Sequence, residues 1–300
     1  MSHVMVTAGA LDVAVELHGP EDGQPVVLLH GFPDDVRTWD GVAPPLAAAG
    51  YRVVVPYLRG YGPTRYRDPA TPRSGQQAAL GADLLALMDA LGIGQALLAG
   101  YDWGGRAACI VAALWPERVR GLVSATGYNI QDIARSTEPR EPERELRYWY
   151  QWYLHTERGV AGLTANRAAF CRLLWKMWSP TYPMTDAEYA VTAASFDNPD
   201  FVATVVQSYR HRHKAAAGDP ALEGIEARLA AQPPITVPTV VLHGAEDGVD
   251  PPANSENETR RFLGRYRREV IAGAGHFLPR EAPQPWVVAL RELRGPSSRS

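Results

Sequence analysis

Residues 99–105 read AGYDWGG, and the reading of that turn decides the fold. The run before it, ALLAG (96–100), is short and apolar; the run after it, RAACIVAALWP (106–116), is apolar at helical spacing. A strand that passes through Gly-x-acid-x-Gly straight into a helix makes a tight, strained bend. Its central side chain stands above the C-terminal edge of the sheet. Gly100 and Gly104 suit the bend because a Cβ at either would crowd it. The central residue is Asp102, where many such turns carry a serine. A carboxylate there sits at a helix N-terminus, whose free N–H groups and dipole favour the ionised form. The plainer alternative is an Asp that caps the helix beginning near Trp103.

Working outward, PVVLLHG (25–31), YRVVVP (51–56) and VRGLVSATG (119–127) are also short apolar runs bounded by Gly or Pro. They read as strands buried on both faces of a mostly parallel sheet. AALGADLLALMDALGIG (78–94) and GRAACIVAALWPERV (105–119) lie between them with helical spacing. Alternating strands and helices predict an α/β fold with helices on both faces of the sheet. From Tyr128 to Pro233 no strand-like run occurs; RELRYWYQWYLH and RAAFCRLLWKMW read as amphipathic helices. The strand signal returns at TVPTVVLHG (236–244) and REVIAGAGH (268–276), and QPWVVALREL (284–293) closes the chain as a helix. The expected organisation is a core at 1–127, an inserted all-helical cap at 128–233 and the rest of the core at 234–300.

Bulk composition narrows the classes. The 300 residues carry 21% charged residues and a net charge of -3. That balance offers no basic face for nucleic acid. The two cysteines, Cys109 and Cys171, lie in apolar runs and read as buried small hydrophobes, which suits a reducing compartment. The N-terminus lacks a signal-peptide pattern, and no run approaches the roughly 20 apolar residues of a membrane span. A cytoplasmic protein that acts on a small molecule, binding neither membrane nor nucleic acid, is expected. A homodimer is compatible with this reading.

Two further stretches fit the bend. In LLHGFPDD (28–35), His30-Gly31 turns the chain so that the Phe32 N–H can face Asp102 beside the Trp103 N–H, a pair of donors for a developing oxyanion. Asp247 follows a strand in HGAEDGVDPP, and His276 follows another in GAGHFLPRE. The chain order is then nucleophile, acid, histidine. Asp250 and Glu246 are rivals to Asp247. His243, at a strand end, reads as structural, and the alternating His211 and His213 are poorly spaced as metal ligands, so no metal or cofactor is expected. Trp149, Trp152, Trp175 and Trp178 read as cap core and pocket wall, which predicts an apolar or aromatic substrate.

These motifs resemble the α/β-hydrolase superfamily, and within it the epoxide hydrolase branch, close to haloalkane dehalogenases. HGFP, GYRVVVPYLRGYG, GYDWGG with WPERVRGLVS, and GAGHFLPREAP carry the likeness. It implies the α/β-hydrolase fold with a helical cap, Asp102 as nucleophile, His276 as general base and Asp247 as its partner. It further implies that Phe32 and Trp103 form the oxyanion hole and that two cap tyrosines protonate the epoxide. Tyr150 in YWYQWY and Tyr209 in QSYRHRH match those positions, with Tyr148 and Tyr153 as alternatives to Tyr150. Trp149, Gln151 and Pro33 fall at the implied substrate site. Tyr101 departs from the usual Gly-His-Asp-Trp-Gly and is expected to point away from the pocket. The activity implied is hydrolysis of an epoxide to a vicinal diol. The nearest alternative is a haloalkane or haloacid dehalogenase, with Trp103 and a cap Trp such as Trp149 or Trp152 holding the halide. A hydrolase-fold binding protein without turnover is the other.

Overall fold

The computed structural model describes residues 1–294. The strands are β1 (Ser2–Ala8), β2 (Leu11–His18), β3 (Gln24–Leu29), β4 (Tyr51–Pro56), β5 (Arg65–Tyr66), β6 (Ala96–Gly100), β7 (Val119–Ala125), β8 (Thr239–Gly244) and β9 (Tyr266–Ile271). They form one sheet in the order β1-β2-β4-β3-β6-β7-β8-β9, with β5 paired to β2. Every residue of β6 and β8 is buried, as the unbroken apolar runs require of parallel strands covered on both faces. The β1–β2, β2–β4 and β2–β5 pairs are antiparallel, whereas the neighbours from β4 through β3, β6, β7 and β8 to β9 pair in parallel. The β1–β2 hairpin is an addition to the expected strands: β1 alternates exposed and partly buried residues at the sheet edge, a weaker signal than a continuous apolar run.

Strand order places the site. From β3 the chain passes to β4 on one side and then to β6 on the other, so β3 and β6 are neighbours whose continuations diverge. The crevice at such a switch point, beyond the C-terminal strand ends, is where α/β sheets bind ligands. Leu29 pairs with Gly100 there, which brings the loop after β3 against the bend after β6.

Helices α1 (Ala43–Ala48), α2 (Gln77–Ala90) and α3 (Asp102–Leu114) link the strands up to β7. Between β7 and β8 come α4 (Pro142–Arg147), α5 (Trp149–His155), α6 (Glu157–Trp178), α7 (Asp186–Ala193), α8 (Phe201–Arg212) and α9 (Glu223–Ala230). Helices α10 (Ala253–Asn257), α11 (Leu278–Glu281) and α12 (Pro283–Leu293) complete the order. The stretch expected as one helix at 144–155 is two, broken at Tyr148, which sits at φ -95 and ψ 15. That break lets α5 turn its Tyr150 face inward while α4 stays in solvent, with no buried residue. Among the described residues no helix is long and apolar enough to cross a membrane. Cys109 and Cys171 are buried and free.

Candidate active site

Asp102 sits at φ +48, a strained value for a residue with a Cβ. The bend tolerates nothing larger than glycine at Gly104, where a Cβ would meet the Leu29 carbonyl oxygen at 2.2 Å. Asp102 is the first residue of α3, and its N-cap is Tyr101. The Asp102 side chain does not cap the helix. Its Oδ1 instead accepts from two backbone amides, Phe32 N at 2.7 Å and Trp103 N at 2.6 Å. The two donors expected for an oxyanion therefore converge on one carboxylate oxygen, and the other oxygen is left to react.

The loop that delivers Phe32 is rigid for identifiable reasons. His30 is fully buried and its Nε2 accepts from Leu58 N at 3.0 Å, so Nδ1 carries the hydrogen and donates to the Gly31 carbonyl at 3.0 Å. Burial pushes this imidazole down to about 4, which keeps it neutral. Pro33 presents its carbonyl to Trp175 Nε1 at 2.6 Å, and so joins the cap to the loop instead of lining the cavity. Tyr101 is buried away from the pocket, and its hydroxyl donates to Asp34 Oδ2 at 2.7 Å. Arg280 Nη2 donates to the other Asp34 oxygen at 2.6 Å. One buried carboxylate thus ties the loop after β3, the bend and the segment after His276 together.

His276 is 3% exposed. Its Nδ1 lies 2.9 Å from Asp247 Oδ2 and its Nε2 4.0 Å from Asp102 Oδ2. Burial alone would lower its pKa, but the Asp247 carboxylate, with Asp102 adding to it, outweighs that and raises it to about 9. Asp247 accepts on Oδ1 from Val249 N at 2.9 Å and Asp250 N at 2.8 Å. The rivals are placed elsewhere: Glu246 is exposed, and Asp250 accepts from Tyr148 at 2.6 Å. His243 hydrogen-bonds Ser255 and the Asp250 carbonyl within the core. The C-terminal end of α6 grips both loops, since the Trp178 carbonyl accepts from Gly248 N at 2.9 Å and from His276 N at 3.2 Å.

Above Asp102, the Tyr150 and Tyr209 rings stand perpendicular with centroids 5.2 Å apart, and both side chains are buried. Burial raises both hydroxyls well above the ordinary tyrosine value, with the Asp102 charge adding to the effect, so both hold their protons at neutral pH. Gln151 Nε2 donates to the Tyr150 hydroxyl at 2.9 Å, and its Oε1 lies 2.9 Å from His213 Nε2. Gln151 therefore orients Tyr150. Trp149 packs on Tyr153 and Phe170 inside the cap, off the cavity wall.

A cavity of about 50 Å³ opens at Asp102, bounded by Tyr150, Trp178 and His276. It shares walls with a larger chamber of about 420 Å³. The tryptophan expectation holds only in part, because Arg106, Asn129, Thr126 and Arg212 also line this cavity and make it polar. Those arginines escaped the sequence reading. Arg106 had one available signal, being the only charge in an apolar helix run, four residues after Asp102. Of the expected halide donors, Trp103 remains available and only the cap tryptophan differs. Trp152 Nε1 is taken by Glu145 at 3.0 Å, while the buried indole N–H groups of Trp103 and Trp178 have no partner among the described residues.

Comparison with known proteins agrees with this fold. The family model described as alpha/beta hydrolase fold matches residues 24–283. "Epoxide hydrolase B" of Mycobacterium tuberculosis (strain ATCC 25618 / H37Rv) is 35% identical over 153 residues, covering 47% of this chain and 42% of that protein. The chain thus aligns with less than half the length of that relative. "Epoxide hydrolase A" of the same organism is 27% identical over 91% of each chain. Among solved structures, a candidate epoxide hydrolase from Klebsiella pneumoniae subsp. pneumoniae MGH 78578 superposes with a TM-score of 0.95. It is 46% identical and covers 97% of this chain and 96% of that one. With the family model spanning most of the sequence, this chain belongs to the α/β-hydrolase fold family.

Proposed function

We propose that the chain is an epoxide hydrolase, acting through an alkyl ester on Asp102, with the inserted segment 128–233 as its cap. The observation that carries the reading is the buried tyrosine pair beside Asp102: Tyr150 lines the cavity at that carboxylate, and Tyr209 packs perpendicular to it with ring centroids 5.2 Å apart. A serine suits a carbonyl carbon, but an oxirane carbon is saturated and calls for displacement by a carboxylate. Asp102 Oδ2 attacks that carbon, the ring C–O bond breaks, and the leaving alkoxide takes a proton from one tyrosine. Water then adds to the ester carbonyl as His276 Nε2 removes its proton. The charge that develops falls on Oδ1, already between the Phe32 and Trp103 amides, each donor typically contributing about 3 kcal/mol. Collapse releases the diol, its oxygen protonated by His276, and leaves Asp102 as a carboxylic acid; that acid gives up its proton, and the tyrosinate regains one, both through solvent.

The electrostatics support this two-step division. In the resting protein the ionised Asp102 helps to hold His276 protonated, up to about 9. Ester formation removes that negative charge, so the imidazole becomes a better proton acceptor when a base is needed. Single-turnover hydrolysis of the ester is therefore expected to rise with pH through a midpoint below 9. A midpoint at or above 9 contradicts this coupling.

A second reading, dehalogenation, is favoured by the unpartnered indole N–H groups of Trp103 and Trp178, of which Trp178 lines the cavity. A screen of aryl and alkyl epoxides beside haloalkanes, haloacids and fluoroacetate separates the two. Diol without halide release is expected; halide release with no diol from any epoxide overturns the proposal. Two buried free cysteines favour a reducing, cytoplasmic setting.

A further inference from the structure

We infer that the epoxide substrate carries a carboxylate a few bonds from its oxirane ring, and that Arg106 and Arg212 hold it. This rests on the epoxide reading above and adds the charge of the molecule. Arg106 is 6% exposed, lies one helical turn beyond Asp102 on α3, and lines the cavity at that residue. Arg212 lines the same cavity from α8, three residues beyond Tyr209, with its guanidinium 5.0 Å from the centre of the Tyr209 ring.

A buried cation is costly unless a carboxylate matches it. Arg106 is such a cation, while Arg212 is partly exposed; the buried guanidiniums of Arg59 and Arg280 are matched, by Asp83 at 2.6 Å and by Asp34 at 2.6 Å. Among the described residues, neither Arg106 nor Arg212 has a carboxylate within 4.0 Å. Their shared partner is neutral: with its amide turned as the surrounding donors require, the Gln131 oxygen accepts from Arg212 Nη2 at 2.6 Å and Arg106 Nη2 at 3.2 Å. The nearby acids are engaged elsewhere. Asp247 holds His276, and Asp250 accepts from Tyr148 and Asn254. Burial and the neighbouring Arg212 lower Arg106 only to about 10, so Arg106 stays a cation at neutral pH.

Two guanidiniums converging on a small cavity match a planar, bidentate carboxylate better than any neutral group. Their spacing also sets its place in the substrate. Residues one turn apart on a helix have Cβ atoms roughly 5–6 Å apart. Arg106 stands in that relation to Asp102, and Arg212 to Tyr209. Both arginines line the same small cavity as Asp102 and Tyr150, so the anion site adjoins the reacting atoms, as suits an acid whose oxirane lies close to its carboxylate, such as a 2,3- or 3,4-epoxy acid. The cavity of about 50 Å³ at Asp102 suits such a compact head.

The test compares 2,3-epoxybutanoate with its uncharged amide. The acid is expected to show a kcat/KM about tenfold to hundredfold higher, the usual range for hydrogen bonds to a charged group. In Arg106→Gln and Arg212→Gln that ratio falls toward one, mainly through KM, while Arg106→Lys retains part of it. Thermal melts of each variant separate loss of recognition from loss of folding. Equal use of acid and amide by the parent protein, or a ratio that survives both Gln variants, overturns the inference and leaves the epoxide reading intact. Unreactive butanoate and butanamide give an independent arm. Butanoate binding that is stronger than butanamide binding and lost in Arg212→Gln supports the anion site even if neither epoxide is turned over, in which case the epoxide reading alone fails. No preference for butanoate overturns the site.

Discussion

Replacing His276 with Gln is expected to stop the reaction half-way, with an alkyl ester accumulating on Asp102 at one adduct per chain. The first step needs only the Asp102 carboxylate and a tyrosine proton. The second needs a base at Nε2, which lies 4.0 Å from Asp102 Oδ2 and has no hydrogen-bond partner among the described residues. Glutamine keeps much of the side-chain volume and cannot take a proton from water, so turnover should fall by at least about a thousandfold. Intact-protein and peptide mass spectrometry after exposure to reactive epoxides would show the added mass on the peptide containing Asp102. The same measurement addresses the binding-protein alternative. A variant that loses turnover yet never carries an adduct would contradict the division of labour drawn here.

The second large effect concerns the cap. Tyr150→Phe and Tyr209→Phe are each expected to slow ester formation by about tenfold to hundredfold, and the double variant by at least about a thousandfold, within the range for general acids. Each single variant keeps one donor over the oxirane, which is why the losses should be partial singly and severe together. The two rings touch at 5.2 Å, so non-additivity is expected. Stopped-flow fluorescence is a suitable readout because Trp178 lines the cavity and Trp103 lies beside the bend. Hydrolysis of an ester once formed should change little. If the double variant forms ester at the parent rate, the leaving oxygen is protonated by some other group.

What could be read from the sequence follows the range of the interactions involved. The bend at Asp102 is local: two glycines and a strand-to-helix transition within a few residues specify it, and the position of Phe32 follows once β3 and β6 are adjacent. Asp247 and His276 each follow a strand, so their arrival at the same sheet edge was also legible. The helical character of the insertion was legible too, but its internal packing was not, because that depends on contacts between helices. The break at Tyr148 separates α4 from α5, and Tyr148 then hydrogen-bonds Asp250, more than a hundred residues away. Four tryptophans suggested an apolar pocket, yet Trp149 and Trp175 serve the cap, whereas Arg106 and Arg212 reach the cavity wall. A lone arginine in an apolar helix has no periodicity to announce it; only the fold shows that Arg106 shares a cavity with Asp102 and has no ion-pair partner among the described residues.

The most direct measurement is one enzyme turnover in heavy-oxygen water, with label followed in both protein and product. Attack by water on the ester of Asp102 predicts that the new oxygen stays in the aspartate carboxylate and that the first diol released carries an unlabelled oxygen from the protein. Label appearing in the first diol, with none in the peptide bearing Asp102, would mean that water attacks the substrate directly and that no ester forms.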